Sequence, residues 1–314
     1  MRESDPGRWT HPATILVATD LSDLSHLMPF ALDQAFDSGA RLILLHVLSA
    51  TESITADASG MPYYDTVGAF AIAEQTIRPW CERASRSGIR CDFLVREGHA
   101  IHQIAATVRQ FQADRVLLGT RSRSKIGKLL IGSVAEQVLR SVNLPVITVG
   151  PEAHLPVAKG GERTVLHATT LRETSRPSAA LACGIAADQK AKLVLLHVLP
   201  PVNAEERQAV PTEIDSAAVR EMRMLAEETG AGCCSQVEPL VVHGNPAIEI
   251  LAIAGLRRAS LIVLGSTKRL AFENLARDRT IYRVLAHAHC PVLTLREPRS
   301  MPAELFAEAA AIHS

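Results

Sequence analysis

The sequence predicts an α/β protein of two tandem domains, each a doubly wound parallel sheet of five strands. Three observations lead there. The chain repeats itself: TILVATDL at 14–21 returns as TVLHATTL at 164–171, and LILLHVL at 42–48 returns as LVLLHVL at 193–199, offsets of 150 and 151. After changes in loop length the offset becomes 146, with RVLLG at 115–119 matching LIVLG at 261–265 and LPVITV at 144–149 matching CPVLTL at 290–295. Within each copy, short uninterrupted aliphatic runs alternate with longer stretches of helical period, the pattern of strands buried on both faces and joined by crossover helices. Finally, 314 residues suffice for two domains that each bury a core. Four matching segments in unchanged order favour duplication over two unrelated α/β domains.

In the first copy the runs place strands near 14–19, 42–48, 91–96, 115–119 and 145–149, and helices near 24–38, 67–87, 99–111 and 133–142. The first helix puts Leu24, Leu27, Met28, Ala31, Leu32, Ala35 and Phe36 on one face, a stripe suited to covering a sheet. The order βαβαβαβαβ implies right-handed crossovers. Polar insertions after the second strand, 49–65 and 200–215, read as loop or lid from their Gly, Pro and acidic residues. The expected boundaries are a first domain over 1–150, a linker over 151–161, a second domain over 162–297 and a tail over 298–314.

Composition narrows the function. Apolar residues make up 47% and charged residues 21%, values of a globular protein, and the aromatic content of 4% leaves an aliphatic core. Basic and acidic residues both number 33, so no broad field attracts nucleic acid or anionic lipid, and any anion site is local. The six cysteines have neither zinc-ligand spacing nor a disulfide framework, which fits a reducing compartment. The first twenty residues carry no apolar signal core, and no apolar run reaches the ~18 residues of a membrane span. The expectation is a cytoplasmic protein that meets neither membrane nor nucleic acid.

In an open parallel sheet, ligands sit beyond the strand ends where strand order reverses. One stretch there combines the parts of an anion cradle. Gly119 ends the fourth strand, where a missing side chain allows a sharp turn and close approach of a ligand. Gly132 and Ser133 open a helix, with SVAE at 133–136 reading as a capping box, and its first N–H groups favour an anion. Between them lie Arg121, Arg123, Lys125 and Lys128 without an acidic residue. Each feature alone is common in structural loops; their combination at a switch point is not. Asp20, at the end of the first strand, either accepts hydrogen bonds from a nucleoside or caps the following helix.

These residues resemble the universal stress protein family in a tandem arrangement, over about 12–150 and 162–296. The resemblance lies in the early strand-end Asp20 and in a phosphate motif G-x2-G-x9-G-S/T, matched here by Gly119, Ser122, Gly132 and Ser133; GSVAEQVLRSVNLPVITV is its most specific piece. It implies a Rossmann-like, adenine nucleotide α-hydrolase-like fold and a bound ATP, with Mg2+ bridging the phosphates. By the same resemblance Ala18, Thr19, Asp20 and Val47 would line the adenosine, while Leu118, Gly119, Ser122, Gly132, Ser133 and Val134 would surround ribose and phosphates. Ser122 departs from the motif's second glycine; either a left-handed backbone there costs about 1–2 kcal/mol, roughly tenfold in affinity, or the serine hydroxyl donates to phosphate.

The second copy has lost the cradle. At the matching offsets Asp20 becomes Thr170, Ser122 becomes Lys268, and Gly132 and Ser133 become Asp278 and Arg279. Asp278, read as a helix cap, would place negative charge where a phosphate would sit, so this half is not expected to bind ATP in this way. The resemblance implies that PVITV and PVLTL pair as the last strands of an intramolecular pseudo-dimer, with a homodimer of whole chains also open. It further implies a nucleotide-responsive switch acting on an unidentified protein partner in stress response. The alternatives are a nucleotide-free interaction scaffold and a slow ATP hydrolase, although G-x-S-x-G, H-E-x-x-H and C-x-x-C are all absent. His46 and His197 read as packing or hydrogen-bonding residues. His99 and His102, three apart, could share a helix face as a weak metal candidate.

Overall fold

The computed structural model describes residues 6–49, 53–56, 59–120, 131–154, 163–172, 175–201, 213–233, 236–267 and 275–297. The first copy comprises α1 (Pro6–Thr10), β1 (Thr14–Thr19), α2 (Leu24–Ser38), β2 (Arg41–Leu48), β3 (Ile54–Ala56), β4 (Pro62–Tyr64), α3 (Thr66–Arg86), β5 (Cys91–Glu97), α4 (Ala100–Phe111), β6 (Arg115–Gly119), α5 (Ser133–Ser141) and β7 (Val146–Val149). The second comprises β8 (Thr164–Ala168), α6 (Arg176–Asp188), β9 (Lys192–Leu199), α7 (Glu213–Cys233), β10 (Val237–His243), α8 (Pro246–Leu256), β11 (Leu261–Thr267), α9 (Leu275–His287) and β12 (Val292–Glu297). The strands and helices expected for the first copy lie within a residue or two of these bounds. Two segments differ: Pro6–Thr10, given no element, forms the short helix α1, and the 49–65 insertion, read as loop or lid, contains the antiparallel hairpin β3–β4. Its strands are three residues each, too short for an alternating pattern to stand out from the surrounding turn residues.

The strands form one sheet in the order β5-β2-β1-β6-β7-β12-β11-β8-β9-β10. Within each half all neighbours are parallel, and the order reverses between β1 and β6 and between β8 and β11. The aliphatic strands are continuous because both faces are covered. Along β1, Ile15 and Val17 pack into the layer of α2 and α3, while Leu16 packs into the layer of α4 and α5, and all three are fully buried.

The halves join where β7 and β12 pair antiparallel, Val292 opposite Thr148 and Thr294 opposite Val146. The Thr148 hydroxyl donates to Val292 O and the Thr294 hydroxyl to Val146 O. This is the pairing expected of PVITV with PVLTL, and it removes an open edge from the middle of the sheet. On one face Arg163 forks onto Asp33 and Asp37 of α2, at 2.9 and 2.6 Å, and Gln189 adds a bond to Asp37. That joint also corrects the α2 stripe. Phe36 is 61% exposed, while Phe30 is 3% exposed, because the second half lays Leu261 and Pro291 over the Phe30 side of the helix.

Candidate functional site

Where strand order reverses in the first half, the ends of β1, β2 and β6 and the starts of α4 and α5 enclose a cavity of about 430 Å³. The floor is tied together by hydroxyl and imidazole bonds. The Thr19 hydroxyl accepts from Leu21 N at 2.9 Å and donates to Asp23 Oδ1 at 2.7 Å. His46 Nδ1–H donates to Thr19 O at 3.0 Å, linking the ends of β1 and β2. Leu21 sits at φ +68, a left-handed conformation unfavourable for a branched side chain, held by this turn. Asp20 is half-buried and accepts from both Ser22 N and the Ser22 hydroxyl. Of the two roles open to it, capping is not the one observed, since Asp23 occupies the N-cap of α2.

Asp23 is the main group that sequence reasoning missed. It lines the cavity, is 7% exposed, and its pKa is raised first by burial and further by Asp20, against the bond from Thr19. Its carboxylate also explains Gly119. A Cβ at Gly119 would collide with the Asp23 carboxylate, so the space expected to admit a ligand is used by this side chain. The signal was available in part: an acidic residue just before a helix reads as a cap, but nothing local says that it turns inward.

Two helix starts face the cavity without a side-chain cap. For α5 the N-cap is Gly132, with φ −57 and ψ 145, and Ser133 is the first helical residue. The expected capping box therefore does not form, because the extended residue at the boundary is the glycine, whose carbonyl accepts from Glu136 N. For α4 the N-cap is His99, again with no side-chain bond to the first turn. Gly98, at φ +123, makes the turn that brings this helix start to the cavity wall. First-turn N–H groups that no N-cap side chain takes, and the positive ends of two helix dipoles, suit an anion.

Of the expected residues, Ala18, Thr19, Asp20, Val47, Leu118, Gly119, Gly132, Ser133 and Val134 all line this one cavity. Arg121 and Ser122, with Arg123, Lys125 and Lys128, lie outside the described residues. Ser49, Gly98, His99, Ala100 and Ile104 line it without having been assigned to it. The His99 and His102 rings do share a face, 5.7 Å apart, but among the described residues no group of three His, Cys, Asp or Glu side chains is placed to hold a metal.

In the second half the same floor recurs with different polar groups. Thr169 Oγ1 accepts from Leu171 N at 3.1 Å, and His197 Nδ1–H donates to Thr169 O at 2.9 Å. Both histidines are thus hydrogen-bonding residues of the repeat, as expected. Thr170, a hydroxyl where the first half has the Asp20 carboxylate, shares a 2.9 Å bond with Ser175; Glu173, the counterpart of Asp23, lies outside the described residues. Asn245 caps α8, accepting from Ala247 N and Ile248 N. Helix α9 begins at Leu275, so Asp278 is inside its first turns rather than at the expected cap; the side chains of 278 and 279 lie outside the described ones.

A sequence model of the universal stress protein family matches residues 13–150 and again 162–296. A universal stress protein of Methanocaldococcus jannaschii is 33% identical over 82 residues, 26% of this chain and 46% of that protein, so the match spans about half of that relative's length. One from Mycobacterium tuberculosis is 26% identical over 257 residues, 75% of each chain, and one from Mycolicibacterium smegmatis is 24% identical over 90% of this chain and 96% of its own. Among solved structures, a universal stress protein from Archaeoglobus fulgidus superposes with a TM-score of 0.72 at 20% identity, covering 92% of this chain and 98% of that one. Among the described residues, no helix is long and apolar enough to cross a membrane.

Proposed function

The chain belongs to the universal stress protein family, with two tandem domains, and from that premise we propose that the cavity of its first half binds ATP while the second half acts as a structural or regulatory partner. The observation that carries this reading is the convergence of two helix starts without side-chain caps, α4 and α5, on one cavity bordered by a half-exposed strand-end carboxylate. A cavity of about 430 Å³ is within the range of small-ligand sites. The polyphosphate would lie against the N–H groups at Ser133 and Val134, and the adenosine against Ala18, Thr19 and Val47. Asp20, half-buried at the end of β1 and lining the cavity, would be the carboxylate that meets a nucleoside hydroxyl or Mg2+, an ion that takes few protein oxygens alongside phosphates. Asp23 is a poor candidate for either, since burial and the Thr19 bond already engage it. Occupancy of the cavity would then act as a switch read by another protein.

Full-length chain purified without added nucleotide, then denatured, tests this. Chromatography of the supernatant should recover ATP or ADP, or the chain should take up ATP when incubated with Mg2+. A chain that releases none and takes up none would instead be a nucleotide-free interaction protein.

A further inference from the structure

We propose that Cys81 and Cys91 form an oxidisable dithiol, a modification site that closes to an intramolecular disulfide at the outer edge of the first half. Cys81 lies in the last turns of α3, and Cys91 opens β5, the strand at the end of the sheet. Packing of α3 against β5 brings the two sulfurs to 2.7 Å, where either thiol can donate to the other. A disulfide needs about 2.05 Å, so bonding requires little further approach. The other described thiols, Cys183 and Cys290, are sealed in the core. The 81–91 pair instead borders an open hollow of about 610 Å³, whose walls include Arg78, Ser85, Arg86 and Phe93.

The burial of the pair selects the oxidant. Cys81 is 6% exposed and Cys91 is half-buried, which favours a two-oxygen peroxide over a bulky disulfide reagent. The Cys91 thiol is pushed well above its ordinary pKa, first by the bond with Cys81 and then by burial, so the pair rests as a dithiol. Oxidation starts when hydroxide takes the Cys91 proton as water and the sulfur attacks one peroxide oxygen. The O–O bond breaks, hydroxide leaves and replaces the one consumed, and Cys91 becomes a sulfenic acid. The Cys81 sulfur then attacks the Cys91 sulfur. The S–O bond breaks, and the hydroxyl leaves as water with the Cys81 proton. Two thiols lose two electrons in total, and hydrogen peroxide is reduced to two waters.

Cys91 is at the opposite end of β5 from the cavity, so this site stands apart from the nucleotide reading. The test treats the reduced full-length chain with hydrogen peroxide at equal concentration, traps remaining thiols with N-ethylmaleimide in denaturant, and digests without reductant for mass spectrometry. The expected result is loss of two alkylatable thiols and a Cys81–Cys91 peptide pair that separates on reduction. Cys81→Ser and Cys91→Ser should each abolish that pair, and Cys183→Ser should keep it. A sulfinic or sulfonic acid on Cys91 with Cys81 still alkylatable, a linkage through Cys233 or Cys234, or no loss of thiols would each overturn the proposal.

Discussion

At the end of β1, Thr19 holds Leu21 and is held by His46; at the end of β8, Thr169, Leu171 and His197 make the same two bonds. Even the left-handed residue recurs, Leu21 at φ +68 and Leu171 at φ +57. The halves part at their polar groups. In the first, His99 and Gly132 leave two helix starts without side-chain caps; in the second, Asn245 gives both first-turn N–H groups of α8 an internal acceptor. At the strand end the first has the Asp20 carboxylate, bonded to Ser22, whereas the second has the Thr170 hydroxyl, bonded to Ser175. The scaffold is therefore kept while the α8 donors are taken by a side chain, and on the proposed reading the capacity to receive an anion resides in whichever backbone donors a side chain has not already taken.

Copying second-half residues into the first should break this difference in graded steps. Gly132→Asp, after Asp278, should cost the most. A carboxylate beside a phosphate is worth about 4 kcal/mol at the effective dielectric of a protein surface, so calorimetry should read a loss of ATP affinity on the order of 1,000-fold. The same change gives α5 a cap and should not lower thermal stability.

The next effect belongs to the second half alone. His167, at the position of Val17, is fully buried, with its Nδ1–H on Val263 O and Nε2 without a hydrogen-bond partner among the described residues. Burial lowers its pKa from 6.5 to about 4. It is neutral in both folded and unfolded chains above pH 6.5. Between there and pH 4 only the unfolded chain takes a proton, so folding loses about 3 kcal/mol as pH falls. Urea titrations across that window should show the loss in the wild type, and His167→Val should remove this part of the slope.

Gly119→Ala should destabilise by about 2 kcal/mol through collision with the Asp23 carboxylate, and Asp23→Ala in the same chain should recover most of it. Smallest, His99→Asn should copy the Asn245 cap, raise stability by about 1 kcal/mol in thermal unfolding, and weaken ATP binding severalfold by occupying the α4 donors.

The strands were legible because burial on both faces writes itself as unbroken aliphatic runs, and the repeat checks each run against a second copy. Nine of the eleven expected site residues meet in one cavity because strand ends at a switch point converge by topology. What escaped depended on contacts between distant segments. Phe30 is buried on the side of α2 that meets residues more than 200 positions away, while Phe36 is exposed. The inward turn of Asp23 needs the vacancy over Gly119, which no local pattern announces. Cys81 and Cys91 have no motif spacing, and they meet because a helix folds back on an edge strand.

Stoichiometry tests the asymmetry most directly. Equilibrium dialysis of the full-length chain against labelled ATP with Mg2+ should saturate at one nucleotide per chain and fall to none in Gly132→Asp. Saturation at two, or binding that survives Gly132→Asp unchanged, would place nucleotide in the second crevice and contradict the account.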